Sequence, residues 1–118
     1  MPLVPVAGLL AKAEQGKFAV GAFNANNMEI VQAILRAAEL ENSPVIMQAS
    51  QGAISYAGLD FIIGIVKIAA ASTRVPVALH LDHGTDYDQV VACINGGFTS
   101  VMYDGSKLPL EENIALTL

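Results

Sequence analysis

Four short runs rich in apolar residues, at 18–23, 44–50, 75–81 and 100–103, alternate along the chain with segments whose apolar positions recur at helical spacing. Short runs that stay apolar on both faces suit strands covered on both sides, the mark of a parallel sheet rather than a half-solvated antiparallel one. Strand, helix, strand, helix with short connections implies right-handed βαβ units, so the fold class expected is α/β. The choice lies between an open doubly wound sheet and a closed (β/α)8 barrel, and no GxGxxG follows the first strand, which favours the barrel. No repeat of short period and no Pro, Gly or Ser tract marks a linker, so 1–118 reads as a single partial domain.

The helical segments have recognisable ends. Residues 6–15 place Val6, Leu9, Leu10 and Ala13 on one side, with Gly16 expected as the stop. The polar Asn24, Asn26 and Asn27 supply capping side chains before Met28–Leu40, where Ile30, Val31, Ile34, Leu35 and Ala38 form an amphipathic stripe. Residues 52–58 read as a short helix or loop, 59–72 as a well-covered helix, and 85–95 as a helix ended by Gly96 and Gly97. A further helix opens at 110–118, where the sequence stops.

Hydrophobic residues make up 53% of the chain and charged residues 14%, which excludes disorder. The formal charge is −5, and the six Lys and Arg residues are not clustered, so neither nucleic acid nor an anionic membrane surface is an expected partner. The lone Cys93 lies in a helical stretch and is expected to serve packing in a reducing cytoplasm. The apolar run at 61–71 is interrupted by Gly64 and Lys67 and falls short of the roughly 20 residues a membrane span needs. The opening MPLVPVAGLL lacks a basic leader and a small-residue cleavage site, so a cytoplasmic location is expected.

In α/β folds ligands bind at the carboxyl ends of the parallel strands. Those ends carry Asn24, Ser50, Asp82 with His83, and Asp104. Along the third strand Val75, Val77, Leu79 and Leu81 share one face, while Pro76, Ala78, His80 and Asp82 share the other and point inward. A regular strand would project Asp82 and His83 in opposite directions, so a shared site needs a turn there, and Gly84 is expected to make it easy. A histidine at a strand end is a common metal ligand, and a neighbouring carboxylate can move a proton on a substrate that the metal polarises.

Each of these residues also has a structural reading. His80, deeper in the strand, is expected to be a satisfied interior histidine. Asp104 can hold a metal or cap a turn with Gly105, Asn24 and Ser50 can each cap the helix that follows, and Asp86 and Asp88 read as solvated partners of a helix dipole.

The stretches VGAFNANNME, SPVIMQASQGAISYAG, VPVALHLDHGTDYDQV and GFTSVMYDGSKLPLEENI resemble, in family order, the class II, metal-dependent ketose-bisphosphate aldolases, chiefly fructose-1,6-bisphosphate aldolase. The resemblance implies the N-terminal half, about four βα units, of a (β/α)8 TIM barrel. It implies that His83 is one of three histidines on a catalytic zinc and that Asp82 transfers the proton at the substrate C4 hydroxyl. Asp104 matches a carboxylate linked to an alternative or second cation position, and Asn24 and Ser50 match substrate-contacting groups.

The partners implied are a sugar bisphosphate and triose phosphates, with a homo-oligomer expected. Tagatose 1,6-bisphosphate is the alternative substrate. The family has roughly 250 residues or more for eight strands, so two further zinc histidines and the phosphate loops are not expected within these 118 residues. Two readings follow: a portion of a longer aldolase that is inactive alone, or a half-barrel that associates with a second copy or a complementary half through its open strand edges.

Overall fold

The computed structural model describes residues 2–118. Its sheet holds β1 (Gly21–Asn24), β2 (Val45–Ser50), β3 (Val77–Gly84) and β4 (Ser100–Tyr103) in the order β1-β2-β3-β4. All three pairings are parallel. Helices α1 (Val6–Gly16), α2 (Met28–Leu40), α3 (Gln51–Ala57), α4 (Leu59–Ala71), α5 (Tyr87–Gly96) and α6 (Leu110–Thr117) complete the chain. The α/β fold expected from the alternating pattern, and the half-barrel that the resemblance implies, are observed. Among the described residues no single helix is long and apolar enough to cross a membrane.

The two central strands divide their side chains between two environments. On the helix-covered face, Val45, Met47 and Ala49 of β2 and Val77, Leu79 and Leu81 of β3 join one cluster with Val31 of α2 and Ile62, Ile63 and Val66 of α4. Met47, Leu79 and Leu81 are fully buried, and burying each such side chain contributes about 1.5–3 kcal/mol. Cys93 of α5 packs fully buried in the same cluster, and burial pushes its thiol pKa up, which suits a packing role. On the concave face, Ile46 and Ala78 meet Leu9 of α1, so α1 covers the amino-terminal end of the half-barrel interior. Above that apolar floor the same face turns polar, with Gln48 opposite His80 and Ser50 opposite Asp82.

Several boundaries differ from expectation for local reasons. Lys17, not Gly16, takes the left-handed conformation that closes α1 (φ 54°), and the Phe18 amide then donates to the Ala13 carbonyl at 3.0 Å. Residues near 18 therefore finish the helix, and β1 starts only at Gly21. In β3, Pro76 has no amide to donate, and the strand runs on from Val77 through Gly84 because β4 pairs with Gly84. At the end of α5 the two expected glycines do stop the helix: Gly97 adopts φ 108° and donates to the Cys93 and Ile94 carbonyls.

The sheet is open at both edges. Beside β1 lies an apolar groove of about 430 Å³ lined by Phe23, Ile34, Ala37 and Ala38. At the other edge α6 buries no residue and leaves Leu110, Ile114 and Leu116 exposed. The molecule is accordingly a slab, 44 × 35 × 20 Å, with a radius of gyration of 14.5 Å.

Candidate active site

The carboxyl end of β3 is irregular where the polar residues gather. Leu81 pairs with Val101 and Gly84 with Tyr103, so β3 spends one residue more than β4 between those pairs. This is a β-bulge at Asp82 and His83, and it removes the strict alternation that would have pointed the two side chains apart. The left-handed residue is His83 itself (φ 54°), a conformation uncommon for a non-glycine side chain. Gly84, expected to make the turn, serves a different need. A Cβ there would lie 2.8 Å from the Met102 carbonyl oxygen and 2.8 Å from Leu81 Cδ2, so glycine lets β4 approach closely.

Two carboxylates flank the imidazole that the bulge displays. His83 Nδ1 lies 2.6 Å from Asp104 Oδ2, and its Nε2 lies 3.8 Å from Asp82 Oδ1. The first contact is a strong hydrogen bond; the second is too long for one but short enough for electrostatic attraction. Asp104 is fixed in turn: its amide donates to the Gly84 carbonyl at 2.8 Å, and its Oδ1 accepts from the Ser106 amide at 3.0 Å. The His83 bond, followed by Ser106, holds the Asp104 carboxyl well below the usual carboxylate range. The same bond, helped by the Asp82 charge, raises the His83 pKa above its ordinary value. With Asp104 ionised, Nδ1 carries the proton it donates, which leaves Nε2 of the neutral imidazole as the nitrogen with a free lone pair.

Deeper on the concave face, His80 Nδ1 meets Ser100 Oγ at 2.8 Å. Burial lowers its pKa against the opposing pull of Asp82, which favours the neutral form of this half-buried, hydrogen-bonded histidine. Asn24 and Asp82 are joined through Gln48, whose Nε2 is 2.9 Å from Asn24 Oδ1 and 3.2 Å from Asp82 Oδ2. Ser50 stands opposite Asp82 in the register, but its hydroxyl accepts from the Ala53 amide at 3.2 Å as the N-cap of α3. Asn27 caps α2 by accepting from the Ile30 amide at 2.8 Å, and Asp86 caps α5 by accepting from the Asp88 amide. A cleft of about 390 Å³ bordered by Asn24, Asn26, Ser50 and Gly52 opens beside these strand ends.

The strand ends thus bring Asp82, His83 and Asp104 into one cluster, tie Asn24 to it, and leave Ser50 alongside with its hydroxyl engaged in a cap. Gln48 was absent from the expected set. Its signal was available, since it precedes Ser50 by two positions and so shares a strand face with it.

The donor chemistry admits a divalent cation at His83 Nε2, because a carboxylate on the other ring nitrogen fixes the tautomer as in many metal-bound histidines. A full site is another matter. Among the described residues no group of three or more His, Cys, Asp or Glu side chains is arranged to hold a metal ion.

A model of the class-II fructose-bisphosphate aldolase family matches residues 4–118. The chain belongs to that family. Fructose-bisphosphate aldolase from Geobacillus stearothermophilus is 48% identical over 120 residues, covering 99% of this chain and 42% of the relative. The enzyme of the same name from Helicobacter pylori is 48% identical over 110 residues, covering 92% and 36%. Among solved structures, the YdjI aldolase from Escherichia coli K12 superposes with a TM-score of 0.91 at 30% identity, covering 98% of this chain and 44% of that one. Fructose-bisphosphate aldolase from Campylobacter jejuni gives a TM-score of 0.83 at 26% identity, covering 98% and 42%. This aldolase-family chain therefore spans less than half the length of the curated relatives it matches.

Proposed function

We propose that these residues form one half of the active site of a metal-dependent aldolase that cleaves and re-forms fructose 1,6-bisphosphate, with dihydroxyacetone phosphate and glyceraldehyde 3-phosphate as the triose partners. The observation that carries the proposal is the β3 bulge, which sets a carboxylate 3.8 Å from an imidazole nitrogen whose ring is oriented by a second carboxylate. In this reading Asp82 takes the C4 hydroxyl proton during cleavage and returns it during condensation. His83 offers Nε2 as one ligand to zinc or another divalent cation, which when bound would polarise the substrate carbonyl.

Asp104 orients His83 and holds its proton on Nδ1, and each of its oxygens, engaged by one hydrogen bond, keeps a further lone pair for a second cation. Asn24 and Ser50 border the cleft and contact the sugar phosphate there. Fructose is preferred over tagatose bisphosphate because fructose-bisphosphate aldolases recur among the curated relatives. The enzyme is expected to be cytoplasmic and to form homo-oligomers, with the lone buried Cys93 suited to a reducing compartment.

One imidazole falls short of the typically three protein ligands of a catalytic zinc. The 118-residue chain alone is therefore expected to be inactive, its open edges awaiting further barrel strands from the same or another chain. The apolar groove beside β1 and the uncovered α6 support that reading. The test is aldol cleavage of fructose 1,6-bisphosphate by the purified chain and by the full-length aldolase that carries it, each with and without chelator. Chelator-sensitive cleavage in the full-length protein alone is expected; efficient cleavage by the isolated chain would overturn the half-site reading.

A further inference from the structure

We propose that Gln48 is the positioning residue that sets both Asp82 and Asn24 for the reaction, an inference that rests on the reading of Asp82 as the proton-transfer group. Gln48 is held by its own backbone, whose carbonyl accepts from the Ala25 amide at 2.8 Å. It lies in β2 between Ala22–Asn24 of β1 and His80–Asp82 of β3, paired with Asn24 on one side and His80 on the other. From there its side-chain nitrogen reaches Asn24 Oδ1 at 2.9 Å and Asp82 Oδ2 at 3.2 Å.

The chemistry of the three groups dictates their orientation. An ionised carboxylate only accepts hydrogen bonds, so Gln48 must turn its NH2, with two hydrogens and no acceptor, toward Asp82. The same nitrogen then faces Asn24, which must answer with its oxygen. Asn24 is left with its own NH2 free, a pair of donors beside the cleft bordered by Asn24 and Ser50. The bridge from Asp82 through one amide thereby fixes Asn24 as a donor, suited to a phosphate or hydroxyl oxygen of the substrate.

A parallel division of labour falls on Asp82. Its Oδ2 is anchored to Gln48, while Oδ1 is the oxygen turned toward His83 Nε2. One oxygen holds the side chain and the other remains for proton transfer.

Two substitutions in the full-length aldolase separate this role from mere packing. Gln48→Leu keeps a similar volume and removes both hydrogen bonds. Gln48→Glu keeps the shape, removes the donors and presents an acceptor that draws the Asn24 NH2 away from substrate. Rates are taken per bound metal, so that loss of folded or loaded protein does not count.

Because a displacement of about 1 Å at a reacting group can cost roughly 100-fold, Gln48→Leu is expected to lower kcat by about 10- to 100-fold with KM changed by less than about 3-fold. Gln48→Glu is expected to lower kcat at least as far and also to raise KM. If either variant folds poorly, the bridge is read in the unmodified 118-residue chain and its Asp82→Ala variant through the side-chain amide resonances of Gln48 and Asn24, which should both shift.

Full turnover by both Gln48 variants beside an inactive Asp82→Ala enzyme overturns this inference alone, as does an unmoved Gln48 resonance. Full turnover by Asp82→Ala overturns the reading of Asp82 and takes the inference with it.

Discussion

Replacing Gly84 by alanine tests whether the β3 bulge depends on a close approach of strands. The added Cβ would sit 2.8 Å from the Met102 carbonyl oxygen, 2.8 Å from Leu81 Cδ2 and 3.1 Å from Val90 Cγ2. The Leu81 and Val90 methyls can yield by small rotations, but the Met102 carbonyl belongs to the backbone of β4 and moves only with the strand. Overpacking of this kind costs about 1–3 kcal/mol, so a loss near 2 kcal/mol is expected. With a urea slope of about 2 kcal/mol per molar, the unfolding midpoint should fall by roughly 1 M.

Gly64→Ala supplies the control. That glycine lies inside α4 with nothing within 4 Å of a Cβ, so alanine there should stabilise by about 0.5–1 kcal/mol. The strain at Gly84 should also be felt at the site, because β4 carries Asp104 toward His83. Titration of the His83 ring followed by NMR should show its midpoint falling toward the ordinary imidazole value as that bond lengthens. Equal stability for Gly84→Ala and the parent chain, with an unchanged His83 midpoint, would refute the argument that glycine is needed here for space.

Asp104→Asn should bring the His83 midpoint down, since the Asp104 hydrogen bond is the leading cause of its elevation; an unchanged NMR titration would show that the bond is not formed in solution. The raised histidine and lowered aspartate describe one interaction, so its contribution to stability should be present between the unfolded pKa values of the two groups. It should fade as pH rises through the folded His83 value or falls through the folded Asp104 value, as urea unfolding at several pH values can check. Asn27→Ala removes the side-chain cap of α2 and should cost about 1 kcal/mol by denaturation, whereas a change below about 0.3 kcal/mol would mean the cap contributes little. In the full-length aldolase, Asp82→Ala should abolish most turnover while metal content is retained and His83→Ala should lose the metal; equal metal loss in both would contradict the division of roles.

The alternation of apolar runs with helical stripes was enough to read the parallel sheet, because covered strands and amphipathic helices each leave a period in the sequence. The two faces of β3 were legible for the same reason: Val77, Leu79 and Leu81 do pack under the helices, and Ala78 does face the interior. The bulge was not. It exists because β4 pairs with Gly84 after skipping a residue, and no local pattern in HLDHG records what a strand 20 residues later will do. Strand limits failed for related reasons, since Phe18 was claimed by the close of α1. Strand-end position picked out the polar cluster, but not that Asp104 grips Nδ1 of His83 or that Gln48 links Asn24 to Asp82, which depend on side chains from different strands meeting.

The bulge also decides how errors propagate. Asp82 and His83 are covalent neighbours on one distorted peptide segment, so any sliding or tilting of β3 carries them together and leaves their spacing nearly constant. Their alignment with groups on other strands has no such protection. Imperfect closure of a barrel built on this half should therefore degrade the match between this pair and its distant counterparts long before it disturbs the spacing within the pair, and variants with loosened strand packing should lose activity while the separation of Asp82 and His83 is kept.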